Sequence, residues 1–165
     1  ALVNNAGISP KGPERTRLGV IGTDAHAWTQ VLNVNLVSTA LLARALLPEM
    51  ERANGSIVNV TSIAGSRVHP FAGVAYAASK AGLAALTREM AHEFGGRGVR
   101  ANAIAPGEIE TSILSPGTDA LVAAEVPMGR LGNPAEVAST IYFLCSDASS
   151  YINGAEIHIN GGQHV

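Results

Sequence analysis

Short apolar runs alternate with longer amphipathic stretches along this chain, the pattern of strand–helix units on a parallel sheet. Residues 1–4, 56–61, 99–105 and 155–159 predict four strands, rich in the Val, Ile and Thr side chains that suit a pleated surface. Between them, residues 24–52, 75–94 and 134–145 predict helices. In the first of these Trp28, Val31, Leu32, Leu42, Ala45 and Leu46 recur at three- and four-residue steps. Asn33 and Asn35 interrupt that rhythm, and an amide buried in a helix needs a partner. Residues 8–23, 63–74 and 108–132 read as loops, punctuated by Gly, Pro and Ser.

The punctuation agrees with these boundaries. Thr23 or Asp24 is placed to cap the first helix, and Asn54-Gly55 ends it. Gly95-Gly96 predicts a left-handed C-cap for the second. Asn133-Pro134-Ala135-Glu136 supplies an N-cap, an N1 proline and a capping-box carboxylate for the third.

Composition narrows the class. A length of 165 residues fits one domain. A hydrophobic fraction of 47% against 15% charged residues, with mean hydropathy +0.21, implies elements buried on both faces or a surface covered by something else. A net charge of −2 leaves no electrostatic footprint for nucleic acid or an anionic membrane. The single Cys145 excludes an internal disulfide framework and fits a reducing, cytoplasmic setting. No apolar run is expected to approach a membrane span, and no signal peptide opens the chain. His69, His92, His158 and His164 lack metal-ligand spacing, so no metal is expected.

The chemistry concentrates at Tyr76 and Lys80, four residues apart on one helical face. A phenol titrates near ~10, and a neighbouring ammonium that stabilises the phenolate makes it usable in proton transfer. Taken alone, the pair also reads as a surface tyrosine beside a solvated lysine. Ser62 lies 14 positions upstream, at the carboxyl end of a predicted strand, where open parallel sheets bind ligands. Alone it also reads as a turn serine. Asn5-Ala6-Gly7 and Pro106-Gly107 fall at two further strand ends. Three strand ends thus carry distinctive residues.

At this point the chain resembles the short-chain dehydrogenases/reductases of the Rossmann type. The matching pieces are Asn4-Asn5-Ala6-Gly7, Asn35 within Val34-Asn35-Leu36, Ser62 in Asn59-Val60-Thr61-Ser62, and Tyr76-Ala77-Ala78-Ser79-Lys80. Asn102 to Gly107 with Thr111, and Gly154-Ala155-Glu156 with Asn160-Gly161-Gly162, complete the series in the family's order. The resemblance implies an α/β fold with a parallel sheet and an NAD- or NADP-dependent oxidoreductase interconverting a secondary alcohol and a ketone. Sugar or polyol dehydrogenation and 3-oxoacyl reduction are both expected substrate types. Tyr76 would be the general acid/base, Lys80 would lower its pKa and hold the nicotinamide ribose, and Ser62 would polarise the substrate carbonyl. Asn35 would hold a water linking Lys80 to solvent, its plainer reading being a helix-kink or packing amide. Asn5, Ala6 and Gly7 would let the backbone pass close to the cofactor, and Pro106, Gly107, Ile109 and Thr111 would line the nicotinamide.

The family's opening strand, Gly-rich TGxxxGxG turn and pyrophosphate-binding helix find no counterpart here. The expectation is therefore a single partial Rossmann-type domain over residues 1–165, holding the strands equivalent to the family's fourth to seventh. It would be a truncated portion of a longer enzyme, or a non-catalytic remnant that keeps an oligomerisation surface. Family members pair their central helices between subunits, so a homodimer or homotetramer is expected. The choice between NAD and NADP rests on residues absent from the chain.

Overall fold

The computed structural model describes residues 1–112 and 114–165. Four parallel strands, β1 (Leu2–Asn4), β2 (Ser56–Val60), β3 (Arg100–Pro106) and β4 (Glu156–Ile159), lie side by side in chain order. The register pairs Val3 with Val58, Val58 with Asn102, and Ile104 with Ile157. Because the side-chain period of a strand is two, neighbouring residues feed opposite faces of the sheet. Ile57 and Ala101 enter a core with Ala43, Leu47, Met50, Met90 and Phe94, while Val58 and Ile104 meet Leu144 on the other face. Both faces are thus covered, as a parallel sheet requires.

The helices that cover them are α1 (Ala25–Leu32), α2 (Ser38–Arg52), α3 (Val74–Gly95), α4 (Thr118–Glu125) and α5 (Pro134–Cys145). Asp24 caps α1, its carboxylate accepting from the Ala27 N–H at 2.7 Å. The capping box at α5 forms as the sequence predicts, with Glu136 accepting from the Asn133 N–H at 2.7 Å.

Four features depart from the sequence expectation. The predicted helix over 24–52 is broken by a π turn, Asn33–Val37, placed where the two asparagines interrupt the apolar rhythm. Such single π turns insert a residue into the ladder and gather at functional sites. Residues 108–132 are not all loop: Thr118, Leu121 and Val122 bury one face of α4 at helical spacing, and packing outweighs the loop-like flanks. The left-handed glycine after α3 is Gly98 (φ 78°), since Gly96 keeps a right-handed helical backbone. Lastly, residues 25–52 taken together are long and apolar enough by length and composition to cross a membrane, with mean hydropathy 1.5 over 18 residues. One side of that stretch, at Val31, Asn35, Thr39, Ala43 and Leu47, is buried against the rest of the chain. Apolar residues also line its opposite side, which raises the hydropathy.

Among the described residues β1 pairs only with β2 and so forms an edge of the sheet, with Val3 40% exposed. Beneath the strands a polar relay ties sheet to helix. The Asn4 amide donates to Asn59 at 2.8 Å, and Asn59 donates to Thr87 of α3 at 2.9 Å. Every member is buried and partnered, so the relay fixes the position of α3 against the sheet at little desolvation cost.

Candidate active site

The carboxyl ends of β1, β2 and β3 open into one cleft of about 630 Å³. From β1 the chain turns through Asn5 and Gly7, from β2 through Ser62, and from β3 through Pro106 and Gly107, and all of these line it. Tyr76 and Lys80 enter from the first turns of α3, and Ile109 and Thr111 close another side. Of the residues singled out in the sequence, Ala6 is exposed beside the cleft without lining it, and Asn35 lies beneath it.

Ser62 has extended backbone and caps a 3-10 turn at Ile63–Gly65, its hydroxyl accepting from the Ala64 N–H at 3.1 Å. The Ser62 side chain is also close enough to Tyr76 to favour the ionised form of its phenol. The Tyr76 phenol is nonetheless raised above its usual value, chiefly by burial, with Ser62 pulling it down and the Glu108 carboxylate pushing it up. Lys80 stands with Nζ 5.6 Å from the Tyr76 ring centroid and donates to the Val60 carbonyl at 2.6 Å. Burial lowers the ammonium to about 8. The expected lowering of the tyrosine by Lys80 is therefore not what this arrangement gives. Desolvation acts on both groups, keeping the phenol protonated at neutral pH and making the ammonium easier to deprotonate.

Asn35 explains its own burial. Its side chain accepts from the Ile8 N–H at 2.8 Å and donates to the Ile8 carbonyl at 2.9 Å, clasping the loop after β1 at both backbone groups. It also donates to Ser79 at 3.0 Å, whose hydroxyl donates to the Tyr76 carbonyl at 2.7 Å. The amide thus ties the Asn5–Gly7 turn to the turn of helix that carries Tyr76.

One close approach holds the cleft in shape, and one glycine leaves room in it. A methyl at Gly65 would lie 2.9 Å from the Ala81 nitrogen and 3.0 Å from the Lys80 carbonyl carbon, so only glycine lets the Ser62 turn rest on α3. A methyl at Gly7 would sit 3.5 Å from both Lys80 Nζ and Asn35 Oδ1, inside the space above the ammonium. That open space beside a lysine donor fits a ligand carrying hydroxyl groups.

The family model described as enoyl-(acyl carrier protein) reductase matches residues 1–164. The chain belongs to the short-chain dehydrogenase/reductase family. It is 60% identical to the protein FixR of Bradyrhizobium diazoefficiens, over all of this chain and 59% of that protein. A crystallised 3-oxoacyl-[acyl-carrier protein] reductase with bound NAD from Brucella melitensis superposes with a TM-score of 0.92 at 40% identity, over 99% of this chain and 61% of that one. A short-chain dehydrogenase/reductase from Brucella ovis, in complex with a partially ordered NAD, is 57% identical with a TM-score of 0.81, over 96% of this chain and 64% of that one. The chain therefore spans about three fifths of the length of these relatives.

Within this family member several site residues escape a motif-based reading. Ser79 sits inside the Tyr76–Lys80 segment, but its bridging role depends on Asn35 being 44 positions away. His69 and Glu108 meet across the cleft from the loops after β2 and β3, and only the fold brings them together. Lys11, also lining the cleft, donates to the Phe71 carbonyl from the loop after β1.

Proposed function

We propose that these residues form the proton-transfer and nicotinamide-side part of an NAD(P)-dependent oxidoreductase that interconverts a secondary alcohol and a ketone. The observation that carries this reading is the meeting of Ser62, Tyr76 and Lys80 in one cleft at the carboxyl ends of three parallel strands. The NAD bound in the Brucella melitensis and Brucella ovis relatives supports the choice of cofactor. When bound, the nicotinamide supplies or takes the hydride. Tyr76, protonated at neutral pH, gives its proton to the nascent alkoxide in reduction and takes one from the alcohol in oxidation. Ser62, which acts on the Tyr76 phenol from the end of β2, orients the substrate oxygen. Lys80 holds ribose hydroxyls from the space that Gly7 leaves open, and Pro106, Gly107, Ile109 and Thr111 flank the nicotinamide ring. The substrate type is one of the two the family resemblance implies, 3-oxoacyl, which the Brucella melitensis relative reduces, or sugar and polyol, and the assembly is a homo-oligomer.

The test is Tyr76→Phe in the full-length enzyme. Turnover is expected to vanish while cofactor affinity stays nearly intact. Retained turnover overturns the role.

A second reading is favoured by the exposed apolar residues of α2, Leu41, Leu42 and Leu46. On that reading the chain is an oligomerisation module without catalysis, and Tyr76→Phe changes nothing in the assembled protein.

A further inference from the structure

We infer that the Glu108 carboxylate, held in place by His69, reads a hydroxyl group on the substrate beside its reacting carbon, so that the preferred substrates are hydroxyketones and vicinal diols. The inference rests on the reductase reading above and names its substrate class.

The geometry fixes the state of the pair. His69 Nδ1 accepts from the Phe71 N–H at 3.2 Å, so the ring carries its proton on Nε2. Nε2 then donates to Glu108 Oε1 at 2.5 Å, which makes Glu108 an acceptor in that bond. Both side chains are nearly buried, 11% and 8% exposed, and both line the cleft with Tyr76. Glu108 Oε2 takes no hydrogen bond from the described residues, and it is not among their sealed, unpartnered atoms. A half-satisfied carboxylate of this kind favours a donor group on whatever enters the cleft.

The charges around it select which donor. A substrate carboxylate or phosphate at this point would face the Glu108 charge, which already makes itself felt at Tyr76. An ammonium would face Lys11, which lines the same cleft with Arg15 as its electrostatic neighbour. A hydroxyl meets neither obstacle. It donates to Glu108 and, on a vicinal diol, its neighbour accepts from Lys11. The pair also joins the loop after β2 to the end of β3, and a merely structural staple would make the same contacts. The experiment below separates the two roles.

In the full-length enzyme, kcat/KM is compared for acetoin and butanone, which differ by one hydroxyl next to the carbonyl. The expected preference for acetoin is roughly a hundredfold or more, because a site built around a substrate hydroxyl rejects the analogue lacking it. In Glu108→Gln the amide oxygen is taken by His69 and the NH2 group faces the substrate, so the ratio falls at least about tenfold. Glu108→Asp, shorter by one methylene, lowers the ratio less and covers the case in which the glutamine variant fails to fold. Equal losses on both ketones, or a wild-type enzyme without preference, overturn the inference and leave the reductase reading standing. No turnover of either ketone, nor of any other carbonyl compound, with NADH or NADPH overturns both.

Discussion

The Lys80 ammonium donates to the main-chain carbonyl of Val60 at 2.6 Å, so the last residue of β2 holds the charge that stands beside Tyr76. Strand and helix thus share one polar contact at the floor of the cleft. One bond to a neutral carbonyl does not replace the water that burial removes, and the ammonium titrates at about 8.

The chain has only two lysines, Lys11 and Lys80, so this titration can be read directly. Lysine side-chain NMR, with Lys11 assigned through Lys11→Arg, is expected to show Lys80 deprotonating with a midpoint near 8. The folded-state value lies below the unfolded one, so the unfolded chain binds more protons as the pH rises past 8. Stability from this group therefore increases with pH from about 8 towards 10, by on the order of 2 kcal/mol. Above about 10 the raised phenol of Tyr76 acts the other way, because the unfolded chain then loses a proton that the folded one keeps. A Lys80 midpoint at the ordinary lysine value would refute the burial argument.

Asn35→Ala removes an acceptor and two donors from a buried site, leaving the Ile8 N–H and carbonyl without their partner. Urea denaturation at unchanged slope is expected to show a loss of about 2–4 kcal/mol. Asn35→Asp is the sharper variant. An aspartate still accepts from the Ile8 N–H, yet has nothing to donate to the Ile8 carbonyl or to Ser79. Its loss is expected when the carboxylate is ionised and to shrink on protonation at low pH. A loss independent of pH would show that the donor contacts contribute little.

These residues mark what the sequence made legible. Alternating strands and helices and the capping box at Asn133 rest on local patterns, and local patterns survive folding, whereas the gathering of Ser62, Tyr76 and Lys80 was legible through the strand-end placement of Ser62 and the family resemblance. Asn35 was visible as an anomaly, but its partners Ile8 and Ser79 were not, since they are fixed by a π turn that no periodicity announces. The His69–Glu108 pair was out of reach for the same reason: the residues stand 39 positions apart on two loops. The raised Tyr76 phenol was missed because burial, absent from any motif, outweighs the opposing pull of Ser62, and the Glu108 carboxylate adds to it. The α4 segment was hidden by the Gly and Pro around it, although Thr118, Leu121 and Val122 carry the helical spacing.

Two glycines of α3 and its neighbourhood should respond in opposite directions. Gly65→Ala forces a methyl against backbone atoms of Lys80 and Ala81, which cannot yield as a flexible side chain would. A loss of about 1–3 kcal/mol is expected, together with a shift of the Lys80 titration, because the helix must move at that residue. Gly96 has a right-handed helical backbone and open space around its Cβ position. Gly96→Ala is expected to stabilise by about 0.4–1 kcal/mol through the unfolded chain. Thermal denaturation of both variants checks the pair, and destabilisation by Gly96→Ala would count against the assigned backbone geometry.

The outer side of α2 carries Leu41, Leu42 and Leu46, continued by Val37 at the end of the π turn, each between 39% and 55% exposed. Their spacing places them on one side of the helix, opposite Ala43, Leu47 and Met50 in the core. A run of apolar side chains rimmed by Arg44 and Glu49 is what a subunit contact requires, and it is costly to leave in water. If the proposed homo-oligomer uses this face, Leu42→Glu with Leu46→Arg is expected to give smaller species than the unsubstituted protein in sedimentation velocity. The substituted side chains face outward, so the far-ultraviolet circular dichroism should remain that of the folded chain. An unchanged sedimentation coefficient would place the subunit contact elsewhere. Loss of the folded spectrum would instead show that these leucines belong to the core of the single chain.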